Sequence, residues 1–329
     1  MQSGSYSVRG FIDSDYEAVA RINLIVTPEF PETAKDARRW SDLITREPGR
    51  LMRKLVVEEV GTGTTVAWGG LTHTLFNFHP DKYFVRVVVH PDHRGRGIGR
   101  DLYDRLEREA VSRGAVCLWG SAREDDPVSL GFLEQQGFVP QRKHWSSRLD
   151  LAKVDLAQLP DRSRPLADRG IRLTTFAAEG PERTEVRRRL YTLSRVSSED
   201  APRVGEYTPV SYEEFVAIDL EGPNVIPEAI FLASAGDEYV GWSTLQRVRG
   251  LPDSLDIGFT GTLPRFRGLG IASELKRRAV RYGREHGYRY ILTGNDSLNP
   301  RIWKINEKLG FQKESVVVHG EKRLLPSGA

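Results

Sequence analysis

Residues 90–99 read HPDHRGRGIG, and residues 263–272 read LPRFRGLGIA. At a shift of 173 positions Pro91 lies on Pro264, Arg94 on Arg267, and Gly95, Gly97 and Ile98 on Gly268, Gly270 and Ile271. The same shift then pairs Leu102 with Leu275, Gly114 with Gly287, and Gly137-Phe138 with Gly310-Phe311. Identities that hold one register without a gap over nearly fifty residues mark an internal repeat. The chain reads as two copies of one domain.

Outward from the glycines, the two copies carry the same pattern. Tyr83 to Val89 and Leu255 to Thr262 are β-branched runs short enough for buried strands, and Pro91 and Pro264 end the pairing soon after them. Past the loops, Ile98, Leu102, Leu106 and Ala110 fall four apart, as do Ile271, Leu275 and Ala279. That spacing draws one apolar stripe along a helix, closed by Gly114 or Gly287. Ahead of each loop two strands flank a turn: residues 53–59 and 65–75 around Gly61-Thr62-Gly63, and residues 228–235 and 239–247 around Gly236-Asp237. Behind each helix come a strand, a short helix and a last strand, residues 115–119, 126–135 and 138–149, then 288–293, 299–308 and 311–319. Each copy opens with a strand, at residues 7–12 and 171–176, followed by two helical stretches. The expected division is a first domain over residues 1–150, a linker rich in Pro, Asp and Arg over 151–170, and a second domain over 171–329.

Composition limits the classes of function. With 329 residues, 39% hydrophobic and 28% charged, the chain has enough apolar material for two cores. One cysteine, Cys117, excludes an intramolecular disulfide framework, and its apolar strand makes it a buried small side chain. His90 and His93 have no further ligands at metal-binding spacing, so no metal is expected. No run of 18 apolar residues is present, and acids stand where an export signal would need an apolar core, so a cytoplasmic protein is expected. The net charge of +3 is dispersed among acids, which gives no footprint for nucleic acid.

The chemistry shows in the strand–RGxGxG/A–helix turn. Small residues there let a ligand approach the backbone, and the first amides of the helix lack intrahelical partners. A diphosphate can rest on those N–H groups, aided by the helix dipole and by Arg94 or Arg267. A Walker loop would need Lys followed by Ser or Thr after the last glycine, and the dinucleotide fingerprint needs a different glycine spacing; neither is met.

On these residues the chain resembles the GCN5-related N-acetyltransferases, in a tandem form. The family's loop, [Q/R]xxGx[G/A], matches Arg94, Gly97 and Gly99 and again Arg267, Gly270 and Ala272. Its closing signature, an Asn some eleven residues before Gly-Phe, is met by Asn299 and Gly310-Phe311. The resemblance implies an α/β (α+β) fold: two domains, each a mixed, mostly antiparallel sheet flanked by helices. It implies acetyl-CoA as co-substrate and direct acetyl transfer to an amine, on a small molecule or a peptide. The residues it assigns to CoA are Val89, Arg94, Gly95, Gly97, Ile98 and Gly99 in the first copy, and Thr262, Arg267, Gly268, Gly270, Ile271, Ala272, Asn295, Asn299 and Asn306 in the second.

The copies differ. Asp126 stands in the first where Asn299 stands in the second, and a carboxylate is less welcome beside an anionic ligand. The second copy is therefore the expected catalytic one. Many members carry a Tyr that protonates the departing thiolate; here that slot holds Asn306 and, in the first copy, Leu133. Family bases often lie on the strand before the loop, which makes Asp256 the first candidate base, with Glu228 second. The missing Tyr keeps a second class open, a non-catalytic acyl-CoA-binding protein. Residues 199–215 are the expected acceptor-side loop, and a monomer or homodimer without nucleic-acid or membrane partners is expected.

Overall fold

The computed structural model describes residues 5–28, 31–203 and 205–324. The chain divides into two compact units, one of residues 1–141, 204–208 and 318–329, the other of residues 142–203 and 209–317.

In the first unit, β1 (Tyr6–Gly10), α1 (Asp15–Val26), α2 (Ala34–Thr45), β2 (Met52–Glu59), β3 (Thr65–Thr72), β4 (Lys82–Val89), α3 (Ile98–Ser112), β5 (Cys117–Arg123) and α4 (Pro127–Gln135) follow in chain order. The sheet runs β1-β2-β3-β4-β5; the first three pairings are antiparallel and β4 with β5 is parallel. Side chains alternate across a strand, so the sheet buries two faces. Leu55, Val57 and Val85 pack with Leu102 and Leu106 of α3. Val56, Trp68 and Val88 pack instead with Val19 and Ile22 of α1. Cys117 is buried there, and burial pushes its thiol up to about 12, which leaves it inert.

β6 (Val139–Asp150) follows, and then the second unit continues with α5 (Ser163–Ala167), β7 (Ile171–Thr175), α6 (Phe176–Glu179), α7 (Thr184–Ser198), α8 (Tyr212–Phe215), β8 (Val225–Ala235), β9 (Glu238–Val248), β10 (Leu251–Thr262), α9 (Ile271–Glu285), β11 (Tyr290–Asp296), α10 (Pro300–Leu309) and β12 (Gln312–Arg323). Its sheet runs β7-β8-β9-β10-β11-β6, with β10 and β11 parallel. Neighbouring residues of β9 show the two faces. A Cβ on Gly241 would strike Ile271 of α9 at 2.7 Å, while Trp242 donates to Ser197 Oγ of α7 at 3.1 Å.

The expected mixed, mostly antiparallel sheets with flanking helices are present in both units. The units differ from the expected boundaries at the last strands. Residues 144–150 of β6 pair antiparallel with β11 in the second unit, and residues 318–323 of β12 belong to the first. There Glu321 accepts from Trp119 Nε1 at 3.2 Å and the Leu324 amide donates to Val116 O at 2.9 Å. Residues 205–208, inside the expected acceptor-side loop, also belong to the first unit, where Thr208 donates to Phe76 O and Phe78 O.

The expected linker is built into the second unit. Leu151 and Leu166 are buried. The Arg162 amide and Ser163 Oγ donate to the Glu274 carboxylate at 3.1 and 3.0 Å, and Arg277 closes on it through Nε and Nη2, both at 2.9 Å. Burial pushes the Glu274 carboxyl up, but these donors and the Arg277 charge more than offset it, and it stays below the ordinary carboxylate value. Among the described residues no helix is long and apolar enough to cross a membrane.

Removing Glu274 takes from the buried Arg277 one of its two carboxylate partners and strands two further donors. Glu274→Ala is expected to lower unfolding free energy in urea by about 3–5 kcal/mol, whereas a surface control such as Asp237→Ala shifts it by under about 0.5 kcal/mol. A depressed carboxyl stabilises above its unfolded value and loses that contribution as pH falls. Wild type should therefore lose stability on acidification below about pH 4.5 more steeply than Glu274→Gln; parallel acid curves would contradict this.

Candidate active site

β10 and β11 are paired only over Ser254↔Tyr290 to Ile257↔Thr293. Beyond Ile257 the register of β10 against β9 slips, and the extra residue is Gly258. A bulge of this kind bends its strand and re-aims the backbone. β10 then continues to Thr262, still paired to β9 but no longer to β11. The first unit repeats the parting without the bulge: β4 pairs with β5 from Lys82↔Cys117 to Phe84↔Trp119, while its pairing to β3 runs on to Val89. Each parting leaves main-chain donors and acceptors along one strand edge, the setting in which an extended, amide-bearing ligand can add as a strand.

The strand that parts leads straight into the glycine loop. Pro264–Phe266 make one 3₁₀ turn, as do Pro91–His93. Gly270 (φ 88°) and Gly97 (φ 79°) cap α9 and α3 in the left-handed region, and Gly268 and Gly95 are left-handed as well. A side chain is strained at such angles, so the glycines are required by the turn itself. The caps have no side chain to bond the first helical amides, which stay available to an anion. Arg267 Nε donates to Thr262 O at 3.3 Å, and Arg94 Nε to Val89 O at 3.3 Å. Each arginine thus folds back on the end of its strand and braces the loop. Ile271 and Ile98 are buried anchors of the helix starts. Gly99 faces Val89 at 3.6 Å from an added Cβ, ordinary contact, so its counterpart Ala272 fits the same small slot.

The residues at the Asn299 position of the two copies cap helices. Asn299 caps α10, accepting from the Ile302 amide at 3.3 Å, and Asp126 caps α4, accepting from the Ser129 amide at 3.0 Å. Arg94 Nη1 lies 3.6 Å from Asp126, while Arg267 Nη1 meets the exposed Asp200 at 2.6 Å. Asn295 and Asn306 are brought together beside the parted end of β11. Asn306 Nδ2 donates to Asn295 Oδ1 at 2.6 Å, and Asn295 Nδ2 to Ser147 Oγ at 2.8 Å. The buried Asn306 Oδ1 and Thr262 Oγ1 have no hydrogen-bond partner, two polar atoms left to accept or donate elsewhere. Trp145 and Trp303 meet edge to face with the Lys313 ammonium over both rings, a packing arrangement.

Asp256 stands two residues before the bulge and accepts from Gln246 Nε2 at 3.1 Å. Burial raises its carboxyl to about 6, against smaller opposing effects from Gln246 and the Lys276 charge. Lys276 of α9 is 1% exposed, and burial lowers its ammonium to about 7 against the pull of Asp256. Glu228 is elsewhere, exposed on β8, where its charge acts on Tyr282. Lys276 and Arg162 were not singled out in the sequence. Lys276 could have been, because the repeat aligns it with Tyr103 on the inward stripe of α3. Among the described residues no cluster of three or more His, Cys, Asp or Glu is placed to hold a metal.

The acetyltransferase (GNAT) family pattern matches residues 17–138 and again 192–311. The chain belongs to the GNAT acetyltransferase family. It is an N-acetyltransferase that moves the acetyl group of acetyl-CoA, the family's co-substrate, onto an amine. It is similar to the mycothiol acetyltransferase of Nocardiopsis dassonvillei, 27% identical over 68% of this chain and 70% of that one. The mycothiol acetyltransferase of Thermobifida fusca is also 27% identical, over 84% and 81%. Among solved structures, a tandem GNAT protein from the clavulanic acid biosynthesis pathway superposes with a TM-score of 0.71 at 19% identity, covering 98% of this chain and all of that one. A GCN5-related N-acetyltransferase from Sphaerobacter thermophilus gives 0.69 at 20%, covering 97% and 95%. At these identities the structures attest the fold.

The Asp126 carboxylate lies 3.6 Å from Arg94 and is expected to oppose an anion on the first loop. In a Gly270→Glu background, which closes the second loop, Asp126→Asn keeps the helix cap and removes the charge. CoA should then bind about three- to tenfold more tightly by calorimetry, roughly 1 kcal/mol. An unchanged affinity would show that Asp126 does not act on the loop.

Proposed function

We propose that the second copy carries the reaction, with acetyl-CoA held on the loop from Arg267 to Ala272 and its pantetheine arm between the parted ends of β10 and β11. The observation that carries this reading is an acid and a base where the other copy has two tyrosines. Asp256 and Lys276 align, at the repeat's shift, with Tyr83 and Tyr103, and both tyrosines are core residues of the first unit. A half-buried acid and a buried base, each drawn toward neutrality by desolvation, are what a proton-handling site requires and what a core avoids.

In this reading an amine enters against the parted edge and attacks the thioester carbonyl. The amides of β10 beyond Gly258 stabilise the oxyanion. Asp256, ionised above about pH 6, takes the amine proton directly or through a water. A thiol with an ordinary value near 8.5 leaves without a dedicated acid, which accommodates Asn306 in the tyrosine slot. Holding both reactants in contact supplies much of the acceleration. Val89, Arg94, Gly95, Gly97, Ile98 and Gly99 form a second, weaker anion loop. The relatives' name makes the amine precursor of mycothiol the first acceptor to try, and other small or peptide amines follow. The relatives named acetyltransferases and the ionisable pair both weigh against a non-catalytic CoA-binding protein.

Asp256→Asn should lower kcat for thiol release by about 10²–10⁴ and abolish the acid limb of kcat/KM, which in wild type falls below about pH 6. Lys276→Met removes the nearby positive charge, disfavours the carboxylate, and should move that limb to higher pH. Turnover and pH profile unchanged in Asp256→Asn would overturn the assignment.

A further inference from the structure

The two glycine loops share a backbone but differ in what lies over them. A Cβ placed on Gly97 meets nothing within 4 Å. One placed on Gly270 meets Arg162, at 2.5 Å from Cδ, 3.0 Å from Nε and 3.2 Å from Nη1. The side chain of a residue from the stretch before β7 therefore lies against the cap of α9, beside the free amides of its first turn.

That placement is built rather than incidental. The Arg162 amide and the Ser163 hydroxyl are tied to Glu274, and Asp161 on the other side pairs with Arg277 Nη2 at 2.6 Å. Leu166, four residues on, is buried. The backbone is thus fixed on both sides of Arg162, while its guanidinium pairs with no carboxylate among the described residues. The first copy lacks the anchor. Asp101 aligns with Glu274, but it is exposed and pairs along its own helix with Arg105.

An exposed guanidinium without a carboxylate partner, held beside a helix start and over a glycine that leaves the backbone bare, has the composition of a phosphate site, since arginine binds phosphate oxygens through two parallel N–H groups. We propose that Arg162 is a ligand of the acyl-CoA diphosphate, supplied to the second loop by the segment that precedes β7. This rests on the reading that the second loop holds acetyl-CoA. It adds a residue outside the loop's own sequence and explains why the same glycine pattern is equipped differently in the two copies. The positioning residues are Glu274, Ser163 and Asp161, which hold the backbone of Arg162 in place.

The test is calorimetric titration of wild type, Arg162→Ala and Arg162→Lys with CoA, dephospho-CoA and pantetheine. Arg162→Ala is expected to weaken CoA and dephospho-CoA by about tenfold alike, to leave pantetheine unchanged, and to leave the melting temperature unaltered. Arg162→Lys should recover part of the loss, and added salt should narrow the gap. Four outcomes overturn the proposal: unchanged CoA affinity, tighter binding, a loss shared by pantetheine, or a loss confined to CoA, which would move Arg162 to the 3′-phosphate. Wild type that binds none of the three probes would instead take down the loop reading on which the proposal rests.

Discussion

Two parallel strands that pair for four residues and then separate organise the second unit. Ile257 and Thr293 are the last partners; past them β10 keeps its ladder with β9 and β11 keeps its ladder with β6. Each strand is thus held firmly on one side and open on the other. Without the support of β9 and β6, the exposed edges would pair or collapse, since unpaired strand groups are avid for partners. The bulge at Gly258 lies where the separation begins. Asp256 sits just before it, and the glycine loop lies at its far end. In the proposed reading the thioester, the diphosphate and the candidate base are consequently spaced along one strand.

The same plan in the first unit shows which parts are fold and which are chemistry. Parted strands, braced arginine and left-handed glycine caps occur in both, so they follow from the shared backbone design. Asp256, Lys276, the Gly258 bulge and the docked Arg162 occur in one. Their counterparts, Tyr83, Tyr103, an unbroken ladder and a bare Gly97, pack a core and leave a turn. The internal repeat keeps the architecture in both units and differs in what fills these slots, an acid and a base in one and two tyrosines in the other. A tyrosine pair in those slots adds rings to the core and desolvates only two hydroxyls, whereas Asp256 and Lys276 withdraw two chargeable groups from water at greater cost.

Much of this was legible in the sequence because it depends on local pattern. Strands 82–89 and 251–262, helices 98–112 and 271–285, and the turns between them follow from β-branched runs, a four-residue apolar stripe and glycines where φ must be positive. The loop residues of the candidate site were legible for the same reason. The exchange of last strands was not, because alternation along residues 139–150 and 312–323 says that a strand forms and nothing about which strand it joins. Nor was the role of residues 151–170: a stretch rich in Pro, Asp and Arg looks like a connector, and only the buried Glu274 reveals what holds it. Asn299 shows the converse. The motif marks it for the cofactor, and what the motif does not announce is that its side chain caps α10, as Asp126 caps α4.

The central claim is that acetyl transfer takes place on the second loop and not on the first. Thiol release from acetyl-CoA in the presence of a panel of amines, compared between Gly270→Glu and Gly97→Glu, tests it most directly. A carboxylate on a left-handed glycine both strains the cap and repels a diphosphate. Loss of turnover in Gly270→Glu with turnover retained in Gly97→Glu is the predicted result. Turnover that survives in Gly270→Glu and is lost in Gly97→Glu would contradict the account and assign the reaction to the first copy.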